Sequence, residues 1–344
     1  MTHLTFLEAA VVGLIQGVSE MFPVSSLGHN VLIPALAGGS WARDLNVAAP
    51  ESPYLAFIVG LHVATAIALL AYFWRDWVRI IGGFFSSVRG LEVRTADQEL
   101  AWMIILGTIP VGIAGLLFEH AFRVIFGKPV YAAVFLAANG VILIAGERFR
   151  TRASRAAVAA VAVSRDPVPV PDRDCELVAA GHGPDARHAG AGAGAGAGSR
   201  APRQRELAEA LAADQRLATM GYPRAVLIGS AQILALLAGI SRDGVTMVAG
   251  MARGLSREDA ARFAFLLATP VILAAGALKI PDLMGPLGNG IRGQILLGSV
   301  LSGAGAYASV RFLLRYLRTR TLTPFGIYCL VAGLASAAYL GLVK

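Results

Sequence analysis

Residues Gly17–Asn30, GVSEMFPVSSLGHN, set a carboxylate, three serines, a histidine and an asparagine into an otherwise apolar stretch, with Pro23 and Gly28 breaking any continuous helix. An unpaired charge near the centre of a bilayer costs roughly 2.5 to 3.5 kcal/mol on insertion scales, so polar groups at that depth read as functional. The fold turns on whether this stretch lies at membrane depth or in a polar surface loop. Composition decides the question.

Hydrophobic residues make up 56% of the 344 and charged residues 15%, with a mean hydropathy of +0.63. That is too apolar for a soluble domain and predicts an all-α polytopic membrane protein. The formal charge of +8 comes mostly from arginines between apolar segments, where it sets orientation. No basic patch interleaved with aromatics accompanies it, so no nucleic-acid partner is expected. Cys175 lies in a polar segment and Cys329 in an apolar one, which gives no metal or redox site. The N-terminal MTHLTFLEAA lacks a basic region, and Glu8 and Glu20 interrupt its apolar run, so a cleaved signal peptide is not expected.

Residues 4–22 have helical character, with Gln16 and Glu20 four apart on one face. After Pro23 the run Val31–Gly38 is far shorter than the roughly 20 residues a crossing needs, so residues 4–38 read as a re-entrant helix-loop-helix. Broken backbone at this depth is tolerated only inside protein or beside a water-filled cavity. Spans are expected at about 54–73, 101–118 and 130–147, the first two separated by a loop bearing Arg75, Arg79, Arg89 and Arg94. Residues 148–216, which include the GAGAGAGAG run at 190–198, read as a disordered linker poor in large apolar residues. A second re-entrant pair, about 224–252, contains GISRDGVT (Gly239–Thr246), and spans come after it at about 261–280, 293–310 and 324–342.

The two halves, 1–147 and 217–344, therefore repeat one order of elements: a broken pair and then three crossings. At a fixed offset Gly13 meets Gly229, Gln16 meets Gln232, Val24 meets Ile240, Ser25 meets Ser241, and Gly28 meets Gly244. An odd number of crossings in each half makes the second an inverted copy of the first. Arginine-rich loops on the cytoplasmic side then leave both termini outside.

Inverted repeats bring their interrupted helices together near the midplane. The combined inventory is Gln16, Glu20, Ser25, Ser26, His29, Ser241, Arg242, Asp243 and Thr246, the composition of a phosphate site. Arg242 offers a bidentate fork, while Gly239 and Gly244 let backbone N–H groups approach an anion. Glu20 with Gln16 can hold a hard divalent cation such as Mg²⁺. Plainer roles exist for each. Membrane Ser and Thr hydroxyls bond back to their own helices, and Arg242 can neutralise Asp243 or Glu20. His62, alone in a span, reads as a packed residue.

QGVSEMFPVSSLGH resembles the first signature of the undecaprenyl pyrophosphate phosphatase family, the bacitracin-resistance membrane proteins, and GISRDGVT resembles its second. The resemblance covers both halves but not the linker. It implies a metal-dependent (Mg²⁺ or Ca²⁺) diphosphatase of the bacterial inner membrane, acting on a polyprenyl diphosphate lipid at the outer face. By the motifs, Glu20 and Gln16 fall on the acidic positions, Ser26 and His29 on the PVSS-x-GH run, and Ser241, Arg242 and Thr246 on the second signature. Ala238 and Asp243 depart from it, standing where the family usually has Pro and Ser. Two nucleophiles stay open: Ser26 with His29 as its base, or a metal-held water with Ser26 only donating a hydrogen bond. A polyprenyl-phosphate transporter or flippase is the competing class, since inverted repeats with broken helices are also a transporter architecture. Whether copies associate as a homo-oligomer is open.

Overall fold

A computed structural model describes residues 4–45, 53–126, 128–163, 200–284 and 290–343. They divide into two units, Met1–Arg150 with Ala213–Lys344, and Thr151–Ala212. In chain order the helices are α1 (Phe6–Met21), α2 (Ser26–Ala37), the short α3 (Gly39–Asp44), α4 (Pro53–Tyr72), α5 (Trp74–Gly90), α6 (Ala96–Phe126) and α7 (Pro129–Val163). Then come α8 (Arg200–Ala218), α9 (Tyr222–Ser230), a 3₁₀ helix at Ala231–Leu236, α10 (Arg242–Ala252), α11 (Arg257–Met284), α12 (Arg292–Leu317) and α13 (Thr323–Val343). The chain is an all-α polytopic membrane protein. Stretches of α6, α7, α11, α12 and α13 are each long and apolar enough to cross a bilayer, and α4 with α5, bent by 84° at their junction, is a sixth candidate.

The helices are broken at both polar stretches, between α1 and α2 and, after the 3₁₀ helix that follows α9, before α10. The members of the two pairs are short, with 16 and 12 residues in α1 and α2 and 9 and 11 in α9 and α10, so none crosses a membrane alone. They are held by close helix packing inside the larger unit. α1 packs on α12 and α9 on α6, so the first member of each pair leans on a long helix of the other half. Small residues permit this approach. A Cβ on Gly13 would sit 2.5 Å from the carbonyl oxygen of Gly298, and one on Gly229 would collide with the backbone of Gly107. At the centre lies α11, buried all round from Phe263 to Ala268, as expected of a helix apolar on every face.

Two expectations about connecting segments are corrected. The arginine-bearing stretch after the first span is the helix α5 rather than a loop. The segment read as a disordered linker is helical at both flanks, where α7 runs on to Val163 and α8 occupies Arg200–Ala218; residues 164–199 lie outside the described residues. Those flanks are rich in Ala, Arg, Glu and Leu, all good helix formers, and the end of α8 is tied down by charge. Asp214 lies 2.6 Å from Arg79 and 2.8 Å from Arg262, and Arg216 lies 2.7 Å from Asp259. Arg318 pairs with Glu258 at 3.0 Å, and Arg257 with Glu147. These pairs gather around the start of α11 (Arg257, Glu258, Asp259 and Arg262) and draw in Arg79 of α5, Arg216 near the end of α8 and Arg318 just past α12.

Candidate active site

The first break begins where Phe22 leaves α1 in an extended conformation and Pro23 prevents the helix from continuing. Ser25 then adopts φ +66°, unusual for a residue with a Cβ. Such a conformation costs on the order of 1–3 kcal/mol and persists only where its surroundings impose it. Here the Ser25 hydroxyl accepts two backbone N–H groups, from Gly28 of its own helix and from Gly239 of the second break, both at 3.2 Å. The turn places Ser26 at the start of α2, facing the end of α1.

Glu20 is the centre of what results, a buried carboxylate with four neighbours. Its Oε2 accepts from Gln16 Nε2 at 2.9 Å and from the Ser26 hydroxyl, and lies 3.4 Å from His62 Nε2. Its Oε1 accepts from Arg242 Nη2 at 2.6 Å. Gln16 in turn accepts from Asn30 Nδ2 at 2.5 Å, so both ends of its amide are engaged.

The second break is built alike. Gly239 takes φ +111°, a left-handed conformation open to glycine, and Ser241 caps α10 by accepting from Gly244 N at 3.1 Å. That cap sets Arg242 at the first helical position. Its guanidinium reaches Glu20 across the interface and lies 3.6 Å from Asp243 Oδ1 through Nε. Asp243 is 1% exposed, and neither of its carboxylate oxygens has a hydrogen-bond donor.

Asn139 of α7 joins the two breaks. Its Nδ2 donates to the Pro23 carbonyl at 2.9 Å and its Oδ1 accepts from Ser241 N at 3.0 Å. One amide side chain thus fixes the proline of one turn and the capping residue of the other.

Of the residues singled out by sequence, Gln16, Glu20, Ser26 and Arg242 come together directly. Ser25 and Ser241 serve as helix caps, and the N–H groups of Gly239 and Gly244 are consumed by those caps instead of facing a ligand. Thr246 donates to the carbonyl of Arg242 at 2.7 Å, the backbone-satisfying role. The expected contact of Ser26 with His29 is absent. His29 Nδ1–H donates to Ser25 O at 2.7 Å, so its Nε2 accepts from the Tyr328 hydroxyl, also at 2.7 Å. A bond back to the carbonyl four residues earlier turns the imidazole away from Ser26, whose hydroxyl has Glu20 instead.

Sequence reasoning missed Asn139 and Tyr328 and read His62 as packing. An asparagine within FLAANGVILI and a histidine within a span were signals of a polar role; nothing local marks Tyr328. Beside His29 and Tyr328 opens a cleft of about 440 Å³, lined by apolar residues of α1, the first break, α2 and α13 that include Val18, Phe22 and Phe325.

Comparison with known proteins adds a chemical context to this geometry. Residues 9–165 and 200–335 match the family described as bacitracin resistance protein BacA. The chain is similar to the undecaprenyl-diphosphatase of Mycolicibacterium paratuberculosis (strain ATCC BAA-968 / K-10), with 58% identity over 340 residues and 99% of each chain covered. It is also similar to undecaprenyl-diphosphatase 2 of Frankia alni, at 52% identity over 337 residues covering 97% of each chain. With undecaprenyl-diphosphatase 2 of Chromobacterium violaceum the identity is 37% over 339 residues, 97% of this chain and 98% of the relative.

Proposed function

The chain belongs to the bacitracin resistance protein BacA family, and from that premise we propose that its two broken helix pairs form the active site of an undecaprenyl-diphosphatase. The protein is an integral membrane hydrolase that converts undecaprenyl diphosphate to undecaprenyl phosphate and phosphate, recycling the lipid carrier for cell-wall synthesis and conferring bacitracin resistance. The transporter alternative draws no support from these relatives.

The observation that carries the site assignment is the Glu20 carboxylate, buried and shared between the Ser26 hydroxyl and the Arg242 guanidinium. A diphosphate needs its oxygen charge neutralised and a nucleophile held in line with the breaking bond. Arg242 provides the first, presenting a planar fork from the start of α10, where the helix dipole also favours an anion. Ser26 provides the second. Its Oγ passes a proton to Glu20 as an Oγ–P bond forms at the terminal phosphorus. The bond from that phosphorus to the bridging oxygen breaks, and undecaprenyl phosphate departs. Water then cleaves the phosphoserine to give phosphate. Glu20 takes the role of base that the Ser-x-x-His spacing had suggested for His29, and the apolar cleft beside His29 and Tyr328 suits the start of the prenyl chain.

A divalent cation fits this donor set in one manner. Among the described residues no group of three or more His, Cys, Asp or Glu could hold a metal ion, so these residues do not form a cage of their own. Glu20 is the residue that would hold Mg²⁺ or Ca²⁺, in the mode of one carboxylate completed by substrate phosphates. Gln16, whose amide oxygen is engaged by Asn30, orients Glu20 instead of offering a ligand. When bound, the ion adds positive charge against the phosphate oxygens.

Reciprocal packing of α1 on α12 and α9 on α6, with matching Ser25 and Ser241 caps, supports an inverted repeat. The arginines gathered around the start of α11 support a cytoplasmic position for that end of the helix in the bacterial inner membrane, with the active site opening outward. The test is phosphate release from undecaprenyl diphosphate by the purified full chain in detergent. Activity that needs a divalent cation and disappears in Glu20→Ala is the expected result; an active Glu20→Ala enzyme refutes the site. Label from the terminal phosphate trapped on Ser26 supports Ser26 attack, whereas full activity in Ser26→Ala assigns attack to water.

A further inference from the structure

The junction of α4 with α5 contributes no residue to the proposed site. Its 84° bend is that of a membrane span broken in two or of a re-entrant turn, and a helix laid along the membrane surface would bend in the same way. Side chains around α5 decide between these. Trp74, Val78, Ile81, Phe85 and Val88 recur at spacings of four and three, and all are exposed. At about 100° per residue they fall in a single stripe.

The opposite face is buried and belongs to the protein: Asp76, Ile80, Gly83 and Ser87. A Cβ on Gly83 would lie 2.8 Å from the carbonyl carbon of Asp97, and the Ser87 hydroxyl accepts from Trp102 Nε1 at 3.0 Å. Arg79 donates to Asp76 at 2.6 Å and to Asp97 at 3.1 Å. Along one flank, between stripe and seam, run the exposed Arg75, Ser86 and Arg89, with the Arg75 guanidinium 5.2 Å from the centre of the Trp74 ring.

A limb descending through the bilayer would separate Arg75 from Arg89 by about 21 Å of depth, at 1.5 Å per residue, and carry one of them into hydrocarbon. Laid in the plane, the helix keeps both arginines at headgroup level and the five apolar residues at one common depth. We propose that α5 lies in the membrane–water interface, its Trp74-to-Val88 stripe sunk among acyl chains and Arg75 and Arg89 set against anionic lipid headgroups. The inference needs only the multi-pass membrane architecture and is independent of the catalytic assignment. Through Arg79 the same helix holds Asp214 near the end of α8, so lipid contact braces the charged cluster around Asp214.

The test uses the full chain with Cys175→Ser, Cys329 being buried, carrying single nitroxide labels at V78C, F85C, V88C and S86C. It is reconstituted in vesicles of phosphatidylcholine mixed with phosphatidylglycerol. Collision with oxygen should exceed collision with a water-soluble nickel chelate at positions 78, 85 and 88, to equal depths, and the order should reverse at 86. Omitting phosphatidylglycerol should make the stripe shallower, and R75Q with R89Q should remove that dependence. A depth that changes steadily by about 15 Å from 78 to 88 means a broken span. Exclusion of both reagents with spin–spin broadening means that a second copy covers the stripe, and nickel access throughout means an aqueous face. Each of these overturns the proposal, as does a phosphatidylglycerol effect that survives the double substitution. Should a label at 78 or 85 abolish hydrolysis, I81C reports on the same stripe.

Discussion

The two broken helix pairs share a backbone device and differ in the charge they hold. In each, a serine caps the second helix by accepting the N–H of the glycine three residues on, Ser25 from Gly28 and Ser241 from Gly244. Each leads into its break from a helix pressed against the other half at a glycine, Gly13 on one side and Gly229 on the other. The side chains around the two caps are unlike. The first pair presents Glu20 and the Ser26 hydroxyl, the second Arg242 with Asp243. The common part is frame and the divergent part is charge, so the proposed reaction draws on both halves. In the proposed mechanism neither half alone carries base, nucleophile and cation.

Removing the charged partner on either side should therefore be the most damaging change. Glu20→Ala loses the proton acceptor for Ser26 and leaves Arg242 without its main partner; kcat for phosphate release should fall by about 10³-fold or more. Arg242→Lys keeps the charge but loses the planar fork, and a drop of about 10²-fold is expected. If lysine restores near-normal kcat, the second half contributes only a diffuse positive field, and the division of labour between the halves is wrong.

Asn139→Leu attacks the joint between the breaks. It leaves the Ser241 N–H buried without its acceptor, at about 1–3 kcal/mol, and leaves the Pro23 carbonyl with only the weak Cys329 thiol at 3.8 Å. Thermal unfolding in detergent should occur at lower temperature, and kcat should fall by about tenfold as Ser26 and Arg242 lose register. An unchanged kcat in a destabilised protein would reduce Asn139 to a packing role.

How much of this was legible obeys the same division. The broken pairs, the pairing of their serines and glycines, and the convergence of Glu20 with Arg242 all came from local patterns: proline and glycine breaks, polar residues in apolar runs, and matched spacing. The features that escaped depend on contacts between distant segments. Asn139 and Tyr328 each stand alone in an apolar helix, and their partners lie 116 and 299 residues away. His29 misled for a different reason. Sequence spacing places it one turn from Ser26, yet its ring is claimed by the Ser25 carbonyl and Tyr328. The ends of the presumed linker were misjudged because their composition was averaged with the glycine-alanine run between them, which hid Asp214 and its arginine partners.

The two caps offer a milder test of the comparison, read in stability. Losing an N-cap hydroxyl costs about 1 kcal/mol. Ser241→Ala removes one such acceptance. Ser25→Ala removes two, because the hydroxyl also holds the Gly239 N–H, and it leaves the φ +66° conformation with less to impose it. The Ser25 variant should therefore unfold at the lower temperature. Equal shifts would mean that the bond to Gly239 contributes nothing to joining the halves.

Thr246→Val should have the smallest effect, although Thr246 lies in the second signature and has the chemistry of a phosphate ligand. Its hydroxyl hydrogen is already given to the carbonyl of Arg242, one helical turn back, and the side chain is 1% exposed. Valine is close to isosteric, and the carbonyl it leaves lies within α10, where a helical N–H is the ordinary partner. Both kcat and KM should stay within about twofold of the parent. A loss beyond tenfold, concentrated in KM, would mean that the hydroxyl rotates from the backbone to the diphosphate on binding. The second half would then contribute a direct hydrogen-bond donor to the substrate in addition to the Arg242 guanidinium.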